Sequence, residues 1–391
     1  MNIIKNWILV LILLNTSALF AQFEIGSKDT INGKPKNSIT FSGYVNSIFY
    51  YDFVGINDAY PALNITMVPV GDVKKEPYTN FNAFQTRLRF NSVHQTKIGD
   101  IKLYVEGDYV SGTGAFRLRH ALISVGKWDV GQTWSNFADE DAWPNMTDYD
   151  GPPTGVWPRP TMVRYNALKG EKHSLAFSME GPSLDYVINY EIDNVITTTN
   201  QNIPDLTARY RYKTDKHHFQ LSGVYRNIRY KNLTDSSLFY QTGYGLSAST
   251  GIAVFKNDRI HAQATIGKGI ARYLVGFESR NWDAVAIGTN QIELLPTTGG
   301  FIGYDHYWNK KKTFSSTVVI GGVYIKNNVV DEINSVKVGN FIESYWGVAN
   351  LYWYPVNKLS VAIEYAGAYR KDYRGQDGYA DRLQFMVMYS F

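Results

Sequence analysis

Apolar and polar residues alternate along most of the chain, and the pattern is clearest near its carboxyl end. Leu383, Phe385, Val387 and Tyr389 occupy alternate positions there, and the chain ends in Phe391. Successive side chains of a strand point to opposite faces, so this segment predicts a strand with one apolar face. An apolar face that ends in aromatic rings is typical of the strand that closes an outer-membrane β-barrel.

The same period of two recurs along the rest of the chain. It predicts about sixteen strands between residues 39 and 391, and eighteen if residues 184–192 add a pair within their loop. In the strand predicted at residues 115–126, alternation directs Arg117 and Arg119 into the barrel. The same alternation directs Phe116, Leu118 and Leu122 toward lipid.

Short and long connectors alternate between the predicted strands. Residues 169–171, 214–216 and 257–258 have turn chemistry, whereas residues 135–160, 182–204 and 271–300 form long segments. Short turns on the periplasmic side and long loops outside the cell are characteristic of an all-β, transmembrane antiparallel barrel. A soluble β-sandwich would also have short strands, but the alternating connectors and the aromatic strand ends favour the barrel.

The amino end resembles a secretory signal. Lys5 precedes an apolar run from Trp7 to Leu14, and small residues lead to a predicted cleavage site after Ala21. We therefore predict a signal peptide at residues 1–21, a short periplasmic segment at residues 22–38 and a single barrel domain at residues 39–391. The predicted location is the outer membrane of a Gram-negative bacterium, with outer-membrane lipid, including lipopolysaccharide, around the barrel.

Composition supports the barrel and excludes some kinds of chemistry. The 391 residues are 15% aromatic and include no cysteine, so neither thiolate metal sites nor cysteine nucleophiles are available. The mean hydropathy is −0.26, as expected where lipid-facing and water-facing residues cancel. The formal charge of +4 is too small to indicate a nucleic-acid partner.

Arginine is frequent at the predicted inward positions. A barrel of sixteen strands encloses a water-filled lumen, and a guanidinium group that faced lipid would be costly. We predict a pore-lining basic wall that attracts small anionic solutes, formed by Arg87, Arg89, Arg117, Arg119, Arg164, Arg209 and Arg211. The alternative is that these arginines pair with lumen acids such as Glu106 and Asp108 and only maintain the shape of the barrel.

A long acidic segment follows the fifth predicted strand and extends to Pro160. Loops of this length are usually functional, so we predict that it folds into the lumen opposite the basic wall. The residues predicted for this constriction loop are Trp134, Asn136, Asp139, Glu140, Asp141, Asp148 and Asp150. An ordinary external loop is the alternative. The acids could also hold calcium, but their spacing matches no calcium loop, so we predict neither a metal nor a cofactor.

Several blocks along the chain resemble the DcaP-like family of outer-membrane channels. They include residues 116–121, 148–152, 204–210 and 267–270, and the most specific is Gly131-Gln132-Thr133-Trp134-Ser135. The resemblance spans about residues 39–391. It implies a sixteen-stranded homotrimeric porin that passes small anionic solutes, dicarboxylates in particular. The long coiled coil of some relatives does not fit within residues 22–38.

The sequence is also compared with what three other functions would require of such a barrel. An outer-membrane enzyme would need a nucleophile beside one of the seven histidines, and no such block is recognisable. An adhesin with a closed lumen conflicts with the many inward polar side chains. A channel for neutral sugars would use ring stacking, for which Trp134, Trp143 and Trp157 are candidates.

Overall fold

The computed structural model describes residues 23–391 with thirteen short gaps, at 28, 32–33, 55–61, 73–75, 112–113, 149, 184–185, 188–195, 199, 279–281, 289–290, 327–340 and 374. The predicted signal peptide at residues 1–21 lies outside these residues. Within them, no helix is long and apolar enough to cross a membrane. The helical segments described are single 3₁₀ turns at Glu140–Ala142, Ala271–Tyr273 and Val275–Phe277.

Sixteen strands of the described chain form one closed antiparallel barrel, which confirms the predicted fold class and the lower strand count. They are β1 (Asn37–Asp52), β2 (Arg87–Thr96), β3 (Gly99–Asp108), β4 (Arg117–Val125), β5 (Trp128–Gln132), β6 (Thr161–Lys169), β7 (His173–Glu180), β8 (Asp205–Lys213), β9 (His217–Asn232), β10 (Leu238–Val254), β11 (Asp258–Lys268), β12 (Pro296–Tyr307), β13 (Phe314–Ile325), β14 (Phe341–Val356), β15 (Leu359–Asp372) and β16 (Asp377–Ser390).

The last strand closes the ring on the first. β16 pairs with β1 so that Phe385 lies opposite Phe49 and Tyr389 lies opposite Val45. Beyond the end of β16, the N–H of Phe391 donates to the carbonyl of Gly43 at 3.0 Å. A closed ring leaves no free strand edge, which is the condition for strands to span hydrocarbon.

Short strands lie outside the ring or extend it. Phe23–Gly26 pairs with residues 38–41 of β1, on the side where β16 has ended. Tyr186–Val187, Ala284–Gly288 and Gln291–Leu294 form a small separate sheet in the long loops. The remaining short strands are Thr30–Ile31, Lys34–Pro35, Tyr78–Asn82 and Ile196–Thr198.

Side chains alternate between the outer wall and the interior, as the sequence predicts. On β16, Phe385 and Tyr389 are 43% and 51% exposed, whereas the neighbouring Gln384 and Met386 are buried. The outer wall therefore presents apolar and aromatic side chains to lipid, and polar side chains line the interior.

The prediction for Leu122 is wrong because β4 contains a β-bulge. Glu106 of β3 lies opposite His120, and the next residue, Gly107, lies opposite Leu118, so Arg119 is an extra residue in β4. An extra residue shifts the alternation by one position. Leu118 still faces outward, but beyond the bulge Leu122 lies opposite the inward-facing Tyr104, and Ile123 is exposed on the outer wall.

Long loops fill one side of the barrel interior. Their buried apolar side chains include Ile65, Phe137 and Leu274, which belong to one cluster with the inward residues Val319 and Trp346 of the wall. Burial of this apolar surface holds the loops against β12–β15. A cavity remains beside the loops, and its wall belongs to β1, β2 and β4 and to β14–β16.

Candidate functional site

The loop between β5 and β6, residues 133–160, enters the barrel at a glycine. Gly131 has a φ of +129°, and a Cβ atom there would lie 2.0 Å from the carbonyl oxygen of Ala121. Only glycine fits this backbone at such close approach. The following residues turn inward, and the guanidinium of Arg164 donates to the carbonyl of Trp134. The predicted inward-folded constriction loop is therefore present.

The first part of the loop is bonded to Glu180 at the end of β7. The Ser135 hydroxyl donates to this carboxylate at 2.7 Å, and the Asn136 N–H donates to its other oxygen at 3.1 Å. The Asn136 side chain also donates to the hydroxyl of Ser178 at 2.9 Å. These contacts fix the direction in which the loop crosses the lumen.

Asp139 is the main polar anchor of the loop. Its buried carboxylate pairs with Arg211 of β8 and lies 3.0 Å from His218 Nε2 of β9, and it accepts a hydrogen bond from Ser249 of β10 at 2.6 Å. Burial alone would raise the pKa of Asp139, but the His218 hydrogen bond and the Arg211 charge outweigh burial and lower it. The loop is thus attached to three neighbouring strands through one ionised side chain.

The second half of the loop is bonded to the opposite part of the wall. The N–H groups of Thr147 and Asp148 donate to the two oxygens of Glu364 on β15, at 2.8 and 3.2 Å. The Asp148 carboxylate accepts the N–H of Leu63 from the first long loop at 2.8 Å, and the N–H of Asp150 at 3.1 Å. Two long loops therefore meet inside the barrel at Asp148.

Asp148 predicts a specific pH dependence of stability. Burial raises its pKa to about 6, with a further contribution from Glu364, and the N–H of Leu63 offsets part of the rise. Because the pKa in the folded state exceeds the unfolded value, protonation stabilises the fold, and this contribution is lost as the pH rises through about 6.

When the pH falls from 7 to 4.5, we expect the free energy of unfolding of the wild type to rise by on the order of 2 kcal/mol relative to that of Asp148→Asn, whose side chain cannot titrate. A folded barrel migrates faster on a denaturing gel than the unfolded chain. The temperature at which this fast migration is lost measures the difference at both pH values. A constant difference between the two proteins would contradict the prediction.

Four of the predicted arginines form one ion-pair network on β2–β4. Glu106 lies between three of them, 3.2 Å from Arg87 Nη1, 3.0 Å from Arg119 Nε and also paired with Arg89. Asp108 bonds Arg119 at 3.0 Å and Arg117 at 3.0 Å. Two carboxylates thus hold four guanidinium groups, so the network has two more positive than negative charges.

The bulge in β4 helps to assemble this network. It places Arg119 and His120 on the inward side in succession, and both are buried. The His120 ring packs between Tyr104 and Trp134, with ring centroids 5.2 and 5.6 Å away. The loop thus contacts the basic side of the wall through Trp134.

The other three predicted arginines lie together on the far side of the loop entry. Arg164 is 4.0 Å from Asp129, and Arg211 bonds Asp141 at 2.7 Å in addition to Asp139. Arg209 makes no ion pair with any described residue, and its buried Nε has no hydrogen-bond acceptor. The structure therefore places the seven arginines in two clusters of four and three.

A cavity of about 610 Å³ separates the first cluster from the middle of the loop. Arg87 and Arg119 line its wall side, and Glu140, Asp141 and Asp148 line its loop side. Of these acids, Asp141 is also paired with Lys213 at 2.7 Å, whereas Glu140 is exposed. This cavity has positive charge on one side and Glu140 on the other.

Several residues of the cavity were missed by the sequence interpretation. Its aromatic and polar lining includes Tyr44, Asn46, Gln85, Tyr352 and Tyr354. Four of them lie at inward positions of β1 and β14, where the only signal was a polar or phenolic side chain. Gln85 lies in the turn before β2; alternation assigned it to the interior but not to a site. Arg159 was also missed; its guanidinium lies 4.5 Å from the Trp134 ring and 4.4 Å from the Trp157 ring.

Among the described residues, no group of three histidine, aspartate or glutamate side chains is arranged to hold a metal ion. Asp139, Asp141 and Asp148 bond instead to arginine, lysine, histidine and backbone N–H groups. These contacts position the loop.

Comparison with known proteins agrees with this architecture. The sequence pattern of the family described as DcaP outer membrane protein matches residues 13–391. No curated protein matches the sequence significantly.

Solved structures of outer-membrane proteins have a similar fold. The crystal structure of the outer membrane channel DcaP of Acinetobacter baumannii is 21% identical, covers 94% of this chain and 100% of its own, and has a TM-score of 0.78. OmpT of Vibrio cholerae in its trimer form is 8% identical over 91% of this chain and 99% of its own, with a TM-score of 0.54. Salmonella typhi OmpF, in complex with daunomycin, is 14% identical over 91% and 98%, also with a TM-score of 0.54. The closed barrel and the match over nearly the whole sequence show that this chain is an outer-membrane porin and belongs to the DcaP outer membrane protein family.

Proposed function

We propose that this porin prefers anions and passes small hydrophilic solutes with one or two carboxylates. The observation that carries the proposal is the ion-pair network at the cavity, where Glu106 and Asp108 hold four arginines. The surplus positive charge lies beside a water-filled passage with walls of low dielectric constant. Fixed cations in such a passage concentrate anions and select solutes by the sign of their charge.

The type of basic residue supports carboxylates as the solutes. A guanidinium group presents a planar fork that can bind both oxygens of a carboxylate, which an ammonium group cannot do. Arg87 and Arg119 border the cavity, and Glu140 borders it from the loop side. An anionic solute would therefore be oriented across the passage, with its carboxylate toward the arginines.

Reversal-potential measurements test this function. Purified protein in a planar bilayer under a salt gradient is expected to show a potential of the sign given by anion preference. Dicarboxylates are expected to reduce the chloride current more than monocarboxylates at equal concentration. Cation preference of the unmodified protein would refute the proposal.

Neutral sugars are a second candidate, because aromatic rings line the same cavity. Trp134, Trp143, Tyr44, Tyr352 and Tyr354 contribute to its surface, and such rings stack on sugars. Swelling of proteoliposomes in sugars of graded size separates the two functions. Faster entry of a sugar than of a dicarboxylate of similar mass would favour the sugar channel.

We also propose that the barrel assembles as a homotrimer in lipid that includes lipopolysaccharide. Exposed apolar residues on the outer wall of the first strands and the last strand support a contact between copies. They include Phe41, Val45, Phe81, Phe385 and Tyr389. Cross-linking of the protein in native membranes tests the trimer.

A further inference from the structure

The seven short turns at one end of the barrel share a feature that the pore does not use. Each of them carries at least one lysine, and none carries arginine. With Lys169 and Lys213, the last residues of β6 and β8, these lysines form a set that we call the lysine ring. It consists of Lys97, Lys127, Lys169, Lys172, Lys213, Lys216, Lys256, Lys310, Lys311, Lys312 and Lys358. These eleven residues are almost half of the 23 lysines in the chain, whereas the pore clusters consist of arginine.

Most of the lysine ring is available to an external partner. Ten of its members are exposed and Lys358 is half-buried. Lys213 bonds Asp141, while Lys127 and Lys169 bond backbone carbonyls. In the described part of the chain, eight ammonium groups make no hydrogen bond or ion pair, namely those of Lys97, Lys172, Lys216, Lys256, Lys310, Lys311, Lys312 and Lys358; that of Lys312 lies 5.0 Å from the Tyr307 ring. The acids within the same turns are Glu171 and Asp215.

The opposite end of the barrel has the opposite balance of charge. The long connector between β7 and β8, residues 181–204, has three carboxylates in its sequence and no lysine or arginine. General solubility would require charge at both ends but not a separation of its sign. The lysine ring therefore calls for a local explanation at the end where the short turns lie, which faces the periplasm.

The depth of the ring relative to the membrane points to its partner. Large aromatic side chains project outward beside the turns, including Trp128 and Trp308, which are 51% and 63% exposed. Trp353 and Phe255 are also exposed, five residues before Lys358 and one residue before Lys256. Such rings sit at the boundary between hydrocarbon and headgroups. Ammonium groups in the adjacent turns are therefore expected at the level of the lipid phosphates.

We propose that the lysine ring binds the phosphate groups of anionic phospholipids in the periplasmic leaflet of the outer membrane. Lysine binds phosphate as a flexible point charge, and clusters of it next to a spanning segment attract anionic lipid. A ring spread over all seven turns matches the belt of lipid around the part of the barrel that does not contact another copy. A soluble anionic polymer would need a patch that faces the periplasm, rather than a circle at headgroup depth.

Binding of defined lipids to the full-length folded protein tests this proposal. Protein in neutral detergent is titrated with phosphatidylglycerol or with zwitterionic phosphatidylethanolamine, and the midpoint of thermal unfolding is measured. A lipid that binds only the folded state raises this midpoint in proportion to its affinity. The test variant carries Lys97→Gln, Lys172→Gln, Lys310→Gln and Lys311→Gln. The matched control carries Lys231→Gln, Lys268→Gln, Lys326→Gln and Lys371→Gln, which remove the same charge at the other end.

We expect phosphatidylglycerol to stabilise the wild type and the control at lower concentration than phosphatidylethanolamine does. In the test variant, the phosphatidylglycerol concentration for half of the effect should rise by roughly tenfold or more. Equal stabilisation by both lipids, or an equal loss in test and control variants, would overturn the proposal. Inorganic phosphate at the same phosphate concentration should have no effect, and full stabilisation by it would also reject binding of lipid. Fast gel migration before heating shows that each variant is folded.

Discussion

Replacement of Arg87 by glutamine is expected to lower the preference for chloride over potassium by roughly threefold to tenfold, the effect of one unit charge a few ångströms from the passing ion. Arg87 borders the cavity, and its removal leaves Glu106 paired with Arg89 and Arg119. The barrel should therefore remain folded while the surplus positive charge falls by half. The zero-current potential across a bilayer under a potassium chloride gradient measures the change.

Two variants separate charge from other effects of the substitution. Arg87→Lys keeps the charge and should retain most of the preference for chloride, although it loses the planar fork. Arg117→Gln removes the same charge from the same network but away from the cavity lining, and it leaves Asp108 bonded to Arg119. If Arg117→Gln lowers the preference for chloride as much as Arg87→Gln does, or if neither substitution lowers it, the cavity does not select ions by their charge.

Replacement of Asp139 by asparagine is expected to destabilise the folded protein by about 3 kcal/mol, since it removes one partner of a buried ion pair. Asp139 lies among Arg211, His218 and Ser249, and its side chain is almost fully inaccessible. The loss of stability should appear as a lower temperature at which the fast gel migration of the folded protein is lost. The loop should also become accessible to protease between residues 133 and 160, because its attachment to β8–β10 is weakened.

Asp141 provides a matched control for this substitution. It bonds the same Arg211 at 2.7 Å and Lys213 at 2.7 Å, but a third of its side chain is exposed. Exposed ion pairs contribute about 0–1 kcal/mol, so Asp141→Asn should change stability little. A larger loss for Asp141→Asn than for Asp139→Asn would show that the buried cluster is not the anchor of the loop.

The sixteen strands were predictable because the side chains of each strand alternate between the same two solvents, lipid and the aqueous interior. Alternation identified every barrel strand, but the extracellular ends of several were missed: β10 begins at Leu238 and not near Tyr244, and β12 begins at Pro296 and not near Phe301. Beyond the hydrocarbon, a strand no longer needs an apolar face. Its hydrogen bonds to the neighbouring strands continue there, but apolar and polar residues no longer alternate, so the sequence does not indicate a strand.

The bulge at Arg119 shows a second limit of the sequence pattern. A single extra residue leaves the composition of β4 unchanged, yet it reverses the direction of every side chain that follows. Only the register with β3 shows that Leu122 faces inward. The same register explains why Arg119 and His120 point to the same side.

The arginines illustrate what alternation can and cannot assign. Their inward direction followed from the cost of placing a guanidinium group in lipid. Their division into clusters of four and three depends on which acids lie within reach, Glu106 and Asp108 for one cluster and Asp139, Asp141 and Asp129 for the other. Such pairing is a property of the assembled wall.

The sequence by itself determined the barrel and its membrane, and it predicted about sixteen strands. These features depend on the solvent that each residue meets, and the order of residues records that directly. The tertiary structure alone decided where the loop is attached, which arginines border the cavity and which acids they share. Those contacts join residues as far apart as Thr147 and Glu364, and no local pattern records a distance between strands that meet only when the ring closes.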